Sequence, residues 1–224
     1  MGASGGFPID LILFGMIAAF LVLRLRGILG RRTGYERPPG QQAPQREGPA
    51  PPERMPGAPQ TPPAPAISRT LPDPLSELGQ TLVRMKEVDR AFEPGAFLDG
   101  AEKAFALIVH AFAAGDRATL RPLLGDDTCH AFDLAIGERE KAGHTQVTDI
   151  RGIHGLSIEA AELKRTIASV MVRIVSDQVN MTRTQAGQYV AGTDAVTEIT
   201  DLWTFERDLA QPNPAWHLVA ARSA

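Results

Sequence analysis

The chain has 224 residues, a formal net charge of −3 and one cysteine, Cys129. This charge gives no general reason to expect a nucleic acid partner. A single cysteine excludes an intramolecular disulfide, so the chain needs no oxidising compartment. Because the composition changes along the chain, we predict three parts: a membrane anchor over 1–33, a proline-rich linker over 34–71 and a globular domain over 72–224.

An uncharged apolar run, Leu11–Leu23, lies near the N-terminus. It is short for a transmembrane helix, which needs about 17–25 residues, and its length alone is typical of a signal-peptide core. Two features favour an uncleaved transmembrane signal-anchor. No basic residue precedes the run, and Arg24 and Arg26 follow it where a small-residue cleavage site would lie. A cleaved signal peptide and a buried soluble helix are the alternatives.

Basic residues follow the apolar run, whereas Asp10 is the one charged side chain before it. The positive-inside rule therefore predicts a single-pass protein with its N-terminus outside and its C-terminal domain in the cytoplasm. Arg24, Arg26, Arg31 and Arg32 can also bind anionic lipid headgroups, at about 1 kcal/mol per charge near the surface. The sequence does not separate this role from a role in topology alone.

The linker, residues 34–71, is rich in Pro, Gln, Gly and Ala and nearly lacks large apolar residues. It cannot bury enough apolar surface to offset the entropy of ordering, so we predict a disordered tether with polyproline II character. PxxP docking motifs occur in it, for example at 56–59, but a proline-rich segment contains such matches by chance.

Four helices are predicted at the start of the domain, where apolar residues recur at spacings of three and four. Capping and breaking residues delimit them: Asp73-Pro74, Glu93-Pro94, Gly115-Asp116, and Asp126 or Asp127. From Thr145 the apolar period changes to two, which predicts strands over Val147–Ile153, Ser157–Leu163 and Ile167–Thr182, the last with a kink near Ser176-Asp177. Helices followed by strands, without crossover helices, predict an α+β fold with helices packed on one face of an antiparallel sheet.

The closing hairpin, residues 193–222, holds both tryptophans of the chain. Alternation places four side chains on one face of its first strand: Ile199, Asp201, Trp203 and Phe205. It places three on one face of the second strand: Trp216, Leu218 and Ala220. The tryptophans are either plugs of the sheet core or walls of a cavity beneath it, and a curved sheet allows both.

Asp201 is the residue that a simple apolar core does not explain. If it lies on an inward face, its carboxylate must form an ion pair, accept hydrogen bonds or have a raised pKa. It is a structural partner of an arginine (Arg173 or Arg183) or of backbone amides, a pocket acid that binds a ligand, or a catalytic base. No metal or cofactor is expected, because the histidines lack metal-ligand spacing and Cys129 and His130, as neighbours on a helix, do not face each other.

Several segments resemble the Tim-forty-four-like domain family. The early match is FLDGA at 97–101 with Gly115-Asp116, and the closing match is TDLWTFER at 200–207 with NPAWHL at 213–218. The segment Leu23–Arg26 looks like the anchor of the alphaproteobacterial, membrane-anchored branch. The resemblance covers roughly residues 71–222 together with the anchor.

This resemblance implies a nuclear-transport-factor-2-like cone, with N-terminal helices on a curved antiparallel sheet and a large apolar pocket. Its candidate lining residues are Phe97, Phe105, Ile199, Asp201, Trp203, Phe205 and Trp216. It also implies a bacterial inner membrane location, recruitment through the first helices and binding of anionic lipid such as cardiolipin. The mitochondrial member recruits an import motor, but this chain has a proline linker where that protein has a charged helical segment, so docking of the motor chaperone is not carried over.

We hypothesise a membrane-tethered, non-enzymatic adaptor that binds lipid or a client protein in protein translocation or membrane-complex assembly. The alternative is a small enzyme of isomerase or dehydratase type that uses Asp201 on an apolar substrate. That alternative requires two polar groups that converge with Asp201. A third hypothesis is a structural component of a larger assembly, and the net charge gives its ribosome-bound version no support.

Overall fold

The computed structural model describes residues 67–224, which form four α-helices and five β-strands. In chain order the elements are β1 (Ser68–Thr70), α1 (Glu77–Val88), α2 (Pro94–Ala114), α3 (Arg117–Leu120), a 3₁₀ turn (Arg121–Leu123), α4 (Asp126–Lys141), β2 (His144–Lys164), β3 (Ile167–Thr184), β4 (Tyr189–Asp208) and β5 (His217–Ser223). The predicted anchor, with Arg24, Arg26, Arg31 and Arg32, and most of the predicted linker lie outside the described residues. None of the helices within residues 67–224 is both long and apolar enough to cross a bilayer.

Capping residues set the ends of the first two helices. α1 begins after Ser76, whose side chain accepts a hydrogen bond from the backbone N–H of Gly79. The prediction of Asp73 as this cap is wrong, because Asp73 accepts from the N–H of Leu75 at 2.8 Å in the preceding turn. α2 ends at Gly115, whose φ of 73° is left-handed and suits a residue without a Cβ.

The five strands form one mixed sheet in the order β1-β2-β3-β4-β5. Strands β2 to β5 pair antiparallel, but β1 pairs in parallel with Gly155–Ser157 of β2. The prediction of an antiparallel sheet is therefore wrong at this edge, where Ser68–Thr70 of the predicted linker joins the domain. Arg69 holds β1 against α2 through an ion pair with Asp99 at 2.9 Å.

β2 is one strand where the sequence predicts two, Val147–Ile153 and Ser157–Leu163. Its pairing with β3 shifts register at three points, next to Ile150, Ile153 and Ile158. Each shift adds twist and bends the strand locally, which lets β2 continue for 21 residues. The break in the alternation therefore marks bulges rather than a turn between strands.

The core lies between the helices and one face of the sheet. α2 packs against β2 and β3, α1 against β2, and α4 against β2 and β5. Four side chains of β3 are fully buried in this core: Ala168, Val170, Val172 and Ile174. The α+β class with helices packed on one sheet is thus confirmed, and the cone shape that the resemblance implies stays a prediction.

β5 contains a bulge that changes which of its side chains face inward. Leu218 pairs with Phe205 and Ala220 pairs with Thr204, which leaves Val219 as an extra residue. An extra residue reverses the alternation beyond it. The prediction that Ala220 lies on the same face as Leu218 is therefore wrong, because Leu218 is buried and Ala220 is exposed.

Beyond the bulge, Ser223 lies opposite Asp201 of β4. Thr128 of α4 stabilises the bulge, because its hydroxyl donates a hydrogen bond to the backbone carbonyl of Val219 at 2.9 Å. The bulge thus decides which side chain meets Asp201.

Candidate functional site

The seven side chains predicted to line one apolar pocket lie in two cavities and in the wall between them. Ile199, Asp201 and Trp203 line the first cavity. Phe97, Phe205 and Trp216 line the second, and Phe105 is fully buried and lines neither. The first is called the amide cavity and the second the aromatic groove. Side chains on one inward face of β4 line both cavities.

The amide cavity has a volume of about 250 Å³ and lies between α2, α4 and the sheet. The helices contribute apolar walls: Ile108, Val109, Phe112 and Phe132. The strands contribute most of its polar side chains: Gln146, Thr148, Gln178, Asn180, Asp201 and Ser223. Among the described residues that line this cavity, Asp201 is the only one with a titratable side chain.

The carboxyl of Asp201 has a raised pKa. Burial is the largest cause and raises the pKa to about 6, although hydrogen bonds from Ser223 and Gln178 favour the charged form and oppose the shift. The Oγ of Ser223 donates to Oδ1 of Asp201 at 3.0 Å. Asp201 therefore holds a proton over part of the range in which an exposed aspartate is fully ionised.

Neither of the predicted arginine partners reaches Asp201. Arg173 is exposed on the outer face of β3. Arg183 donates to the hydroxyl of Tyr189 at 3.0 Å and stacks over its ring. None of the ion pairs within residues 67–224 includes Asp201. The interpretation of Asp201 as an arginine-paired structural residue is therefore wrong, and neutral groups hold its carboxylate.

Hydrogen-bonded polar side chains run along β3 beside Asp201. Nδ2 of Asn180 donates to Oε1 of Gln178 at 3.1 Å, and Nε2 of Gln178 donates to Oγ of Ser176 at 2.9 Å. Gln178 and Ser176 are 4% and 0% exposed. A buried polar network of this kind fixes its members in place when each of them is hydrogen-bonded.

Arg139 ties the helical wall of the amide cavity to its strands. Its Nη1 donates to Oε1 of Gln146 at 2.6 Å, and its Nη2 donates to the carbonyl of Phe112 at 2.7 Å. The guanidinium carbon lies 5.1 Å from the centroid of the Phe112 ring. Phe132 packs edge-on against Phe112, with centroids 4.9 Å apart. Arg139 therefore holds Phe112 and Phe132, the helical side of the amide cavity, in place.

The aromatic groove is larger, with a volume of about 520 Å³, and lies between α2, the 3₁₀ turn and the β4–β5 loop. Its rings come from Phe92, Phe97, Phe205 and Trp216. Small and aliphatic side chains complete it: Ala96, Ala104, Leu107, Pro122, Leu123 and Pro214. Leu107 is 47% exposed, so part of this apolar surface faces solvent. A concave apolar surface of this kind is suited to an apolar ligand or chain segment.

Three charged residues line the aromatic groove: Glu93, Lys103 and Arg207. Nη2 of Arg207 lies 2.9 Å from Oδ2 of Asp89, and both side chains are largely buried. Nε of Arg207 also donates to the carbonyl of Asn213 at 3.2 Å. Because Asp89 ends α1 and Asn213 lies in the β4–β5 loop, Arg207 fixes the loop that forms one side of the groove.

A continuous row of aromatic rings lies between the two cavities. Successive centroids are 4.7 Å apart for Trp216 and Phe97, 6.0 Å for Phe97 and Phe205, 6.2 Å for Phe205 and Trp203, and 4.8 Å for Trp203 and Phe105. Contacts of this geometry contribute about 0.5–1.5 kcal/mol per pair beyond area burial. The row is therefore a packed wall.

Sequence reasoning missed most polar members of the amide cavity. Their signal is the period of β3: Ser176 and Gln178 continue the inward positions that end with Ile174. The predicted kink near Ser176-Asp177 hides this signal. β3 pairs with β4 through both of these residues without a register shift, and the irregularity lies further along, between Gln178 and Asn180. The position of Ser223 has no such signal, since a bulge sets it.

Within residues 67–224, no three His, Cys, Asp or Glu side chains are grouped so that they could hold a metal ion. The amide cavity offers side-chain amides, hydroxyls, the carboxylate of Asp201 and aromatic rings, whereas the aromatic groove offers rings with Glu93, Lys103 and Arg207 among them.

A family model described as the Tim44-like domain, the Tim-forty-four-like family of the sequence resemblance, matches residues 78–223. A comparison with curated proteins gave no match. Among solved structures, the fold is similar to the intermembrane space region of the chloroplast protein ARC6, with a TM-score of 0.42 and 10% sequence identity. That similarity covers 56% of this chain and 94% of the other, and it is too distant to support a statement about function.

Proposed function

This chain belongs to the Tim44-like domain family, and from that premise we propose that it is a non-enzymatic adaptor tethered to a bacterial inner membrane. The family is known for membrane-associated adaptor and import roles. In this proposal residues 1–33 anchor the chain, and residues 34–71 let the domain reach client proteins at a distance from the anchor. The domain binds an apolar segment of a client protein during translocation or membrane-complex assembly. No nucleic acid takes part.

The aromatic groove is the observation that carries this proposal. It combines four aromatic rings with a volume of about 520 Å³, and one side of it is open to solvent at Leu107. Burial of apolar surface contributes about 25 cal/mol per Å², so an apolar segment laid along these rings gains affinity without specific hydrogen bonds. Arg207 and Asp89 fix the loop that carries Trp216, so the groove is formed before a client arrives.

A photocrosslinking amino acid at position 107 tests the groove in cells. We expect crosslinks from Leu107 to apolar segments of newly made membrane proteins. The matched control is the same label at Val196, which is 55% exposed but lies on β4 outside the groove. Trp216→Ala should abolish the crosslinks from Leu107, because it removes the largest side chain of the groove.

Equal crosslinking from both labelled positions would contradict the groove as the client site. So would crosslinks from Leu107 that survive Trp216→Ala in a folded variant.

We also propose that Arg24, Arg26, Arg31 and Arg32 contact anionic lipid such as cardiolipin. Flotation with liposomes that contain or lack cardiolipin, at low and moderate salt, separates the anchor from the domain when the full chain is compared with residues 67–224. The fragment starts at 67 because β1 begins at Ser68, and circular dichroism checks its fold. Salt-sensitive flotation of the fragment would mean that the domain itself binds lipid. Protease added to spheroplasts tests the topology, and digestion of the domain would contradict a cytoplasmic location.

The enzymatic alternative meets one of its conditions. Ser223 and Gln178 do converge with Asp201, as that hypothesis requires. A second titratable group is missing from the described lining of the amide cavity, however, so the proton that Asp201 takes has no acid or base partner there. This arrangement favours binding over proton transfer.

A further inference from the structure

We infer that the amide cavity binds a small organic ammonium ion, with Asp201 as its counter-ion. This inference goes beyond the proposed adaptor role, which depends on the aromatic groove. It concerns a different cavity, a different class of ligand and a different set of residues.

The charge of Asp201 is the first argument. Its hydrogen-bond partners, Ser223 and Gln178, are neutral, and no ion pair within residues 67–224 includes it. The described residues that face it from α2, α4 and the other strands carry no charge. A cation is attracted more strongly by a carboxylate withdrawn from water than by an exposed one, because the local dielectric is lower. An anionic ligand would meet an uncompensated negative charge.

The aromatic walls favour the same ligand. Trp203, Phe112 and Phe132 line the cavity that Asp201 faces. The face of an aromatic ring attracts a cation, and tryptophan does so most strongly. A ligand cation would find its counter-ion and its aromatic contacts in one cavity.

Hydrogen bonding and size complete the argument. An ammonium group has three donors and no acceptor. The cavity offers the carboxylate of Asp201 and the carbonyl of Gln178, which accepts one bond from Asn180 and keeps a second lone pair. The volume of about 250 Å³ equals that of about eight waters at roughly 30 Å³ each, which suits a compact amine.

Benzylammonium and benzyl alcohol are matched probes, since they share a ring and a size but differ in charge. In a Trp216→Phe background the chain keeps one tryptophan, Trp203, whose fluorescence reports on the amide cavity. The titration uses the full chain in uncharged detergent micelles at pH 8, where Asp201 is ionised. We expect benzylammonium to bind at least about tenfold more tightly than benzyl alcohol, because it alone pairs with the half-buried carboxylate of Asp201.

Two substitutions sharpen the test. Asp201→Asn keeps the size of the side chain. It should weaken the binding of benzylammonium at least about tenfold and leave the affinity for benzyl alcohol unchanged. Asp194→Asn, at an exposed position of the same strand, should bind both probes as the parent does. Three results would overturn the inference: the parent binds the two probes equally, the parent does not bind benzylammonium, or Asp201→Asn binds benzylammonium as tightly as the parent does. Should Asp201→Asn fail to fold, the comparison of the two probes on the parent decides.

The ammonium can come from a free amine or from a lipid headgroup. Repeating the titration in nanodiscs of phosphatidylethanolamine and of phosphatidylglycerol separates these sources. A headgroup in the cavity would block benzylammonium in the first nanodisc and not in the second, whereas a site for free amines would bind it in both.

Discussion

The amide cavity and the aromatic groove share one strand and differ in chemistry. Asp201 and Trp203 line the cavity, Phe205 lines the groove, and all three lie on the same face of β4. Their neighbours make the difference. The polar end of β3 lies beside Asp201, whereas the first half of α2 and the β4–β5 loop lie beside Phe205. Strand alternation thus identifies an inward face, but it does not say which cavity that face lines.

The two cavities would also hold ligands through different forces. Apolar burial in the groove responds little to pH, whereas a carboxylate in the cavity acts only when it is ionised. Variants that change one cavity and leave the other intact therefore test whether the aromatic wall keeps them independent.

The largest loss of stability is expected from Trp203→Ala, which removes a ring from the wall between the two cavities. Trp203 is 6% exposed and packs against Phe105 with ring centroids 4.8 Å apart. Its loss leaves an internal cavity and should lower the free energy of unfolding by about 3–5 kcal/mol. Urea denaturation of the full chain in micelles measures this change. Trp203→Phe keeps a ring in the wall and should cost about 1–2 kcal/mol. Equal losses in both variants would contradict a packed wall.

Arg207→Ala should have the next largest effect. It leaves Asp89 buried without its cation, at a cost of about 3 kcal/mol. It should also reduce crosslinking from the groove and leave benzylammonium binding at Asp201 unchanged. Arg117→Ala is the matched control, because its ion pair with Glu140 is exposed to solvent, so its loss should change the free energy of unfolding little. A loss of ammonium binding in Arg207→Ala would mean that the two cavities are coupled.

Asp201 should make stability fall as pH rises. Its pKa of about 6 in the folded chain exceeds its ordinary value of about 3.9, so between these pH values the folded state keeps a proton that the unfolded state has lost. The free energy of unfolding therefore declines from about pH 4 to about pH 6 and is constant above. Asp201→Asn removes this decline and should be more stable than the parent by about 2 kcal/mol at pH 7.

Urea denaturation from pH 4 to pH 8 measures the difference between parent and variant, so other titrating groups cancel. Asp194→Asn, at an exposed site, should show a difference that does not change with pH. A parent that is more stable at pH 8 than Asp201→Asn would show that Asp201 has another, stabilising partner.

Ser223→Ala should have the smallest effect. It removes the hydrogen bond to Asp201 at 3.0 Å, which costs about 1 kcal/mol and raises the pKa of Asp201 further. Carboxyl NMR titration detects the shift. Ser157→Ala is the control, because Ser157 bonds to Glu159 on an exposed part of β2. An unchanged Asp201 pKa would mean that the bulge in β5 does not place Ser223 where it influences the carboxylate.

Local pattern in the sequence was enough for much of the fold. Apolar spacing and Pro94 and Gly115 located α2, because cap and breaker residues act on their own backbone. The period of two identified the inward face that carries Asp201, Trp203 and Phe205. The α+β class follows from such local signals, since a period depends only on neighbouring residues.

The candidate site needed long-range information. β2 bulges instead of ending near Ile153, and Ser68–Thr70 pairs with it from the predicted linker, because both depend on which strand lies alongside. No alternation rule places Ser223 opposite Asp201 when one extra residue, Val219, shifts the register.

By itself, the sequence determined an apolar segment with a basic flank, a proline-rich segment after it and a domain with one acid among inward-facing aromatic residues. Only the tertiary structure decided that these aromatic residues divide between two cavities, with Trp203 beside Asp201 and neutral amides in one, and Phe97, Phe205 and Trp216 in the other. The reason is physical. Which side chains share a cavity depends on strand register and helix placement, and both are set by packing between residues far apart in the chain.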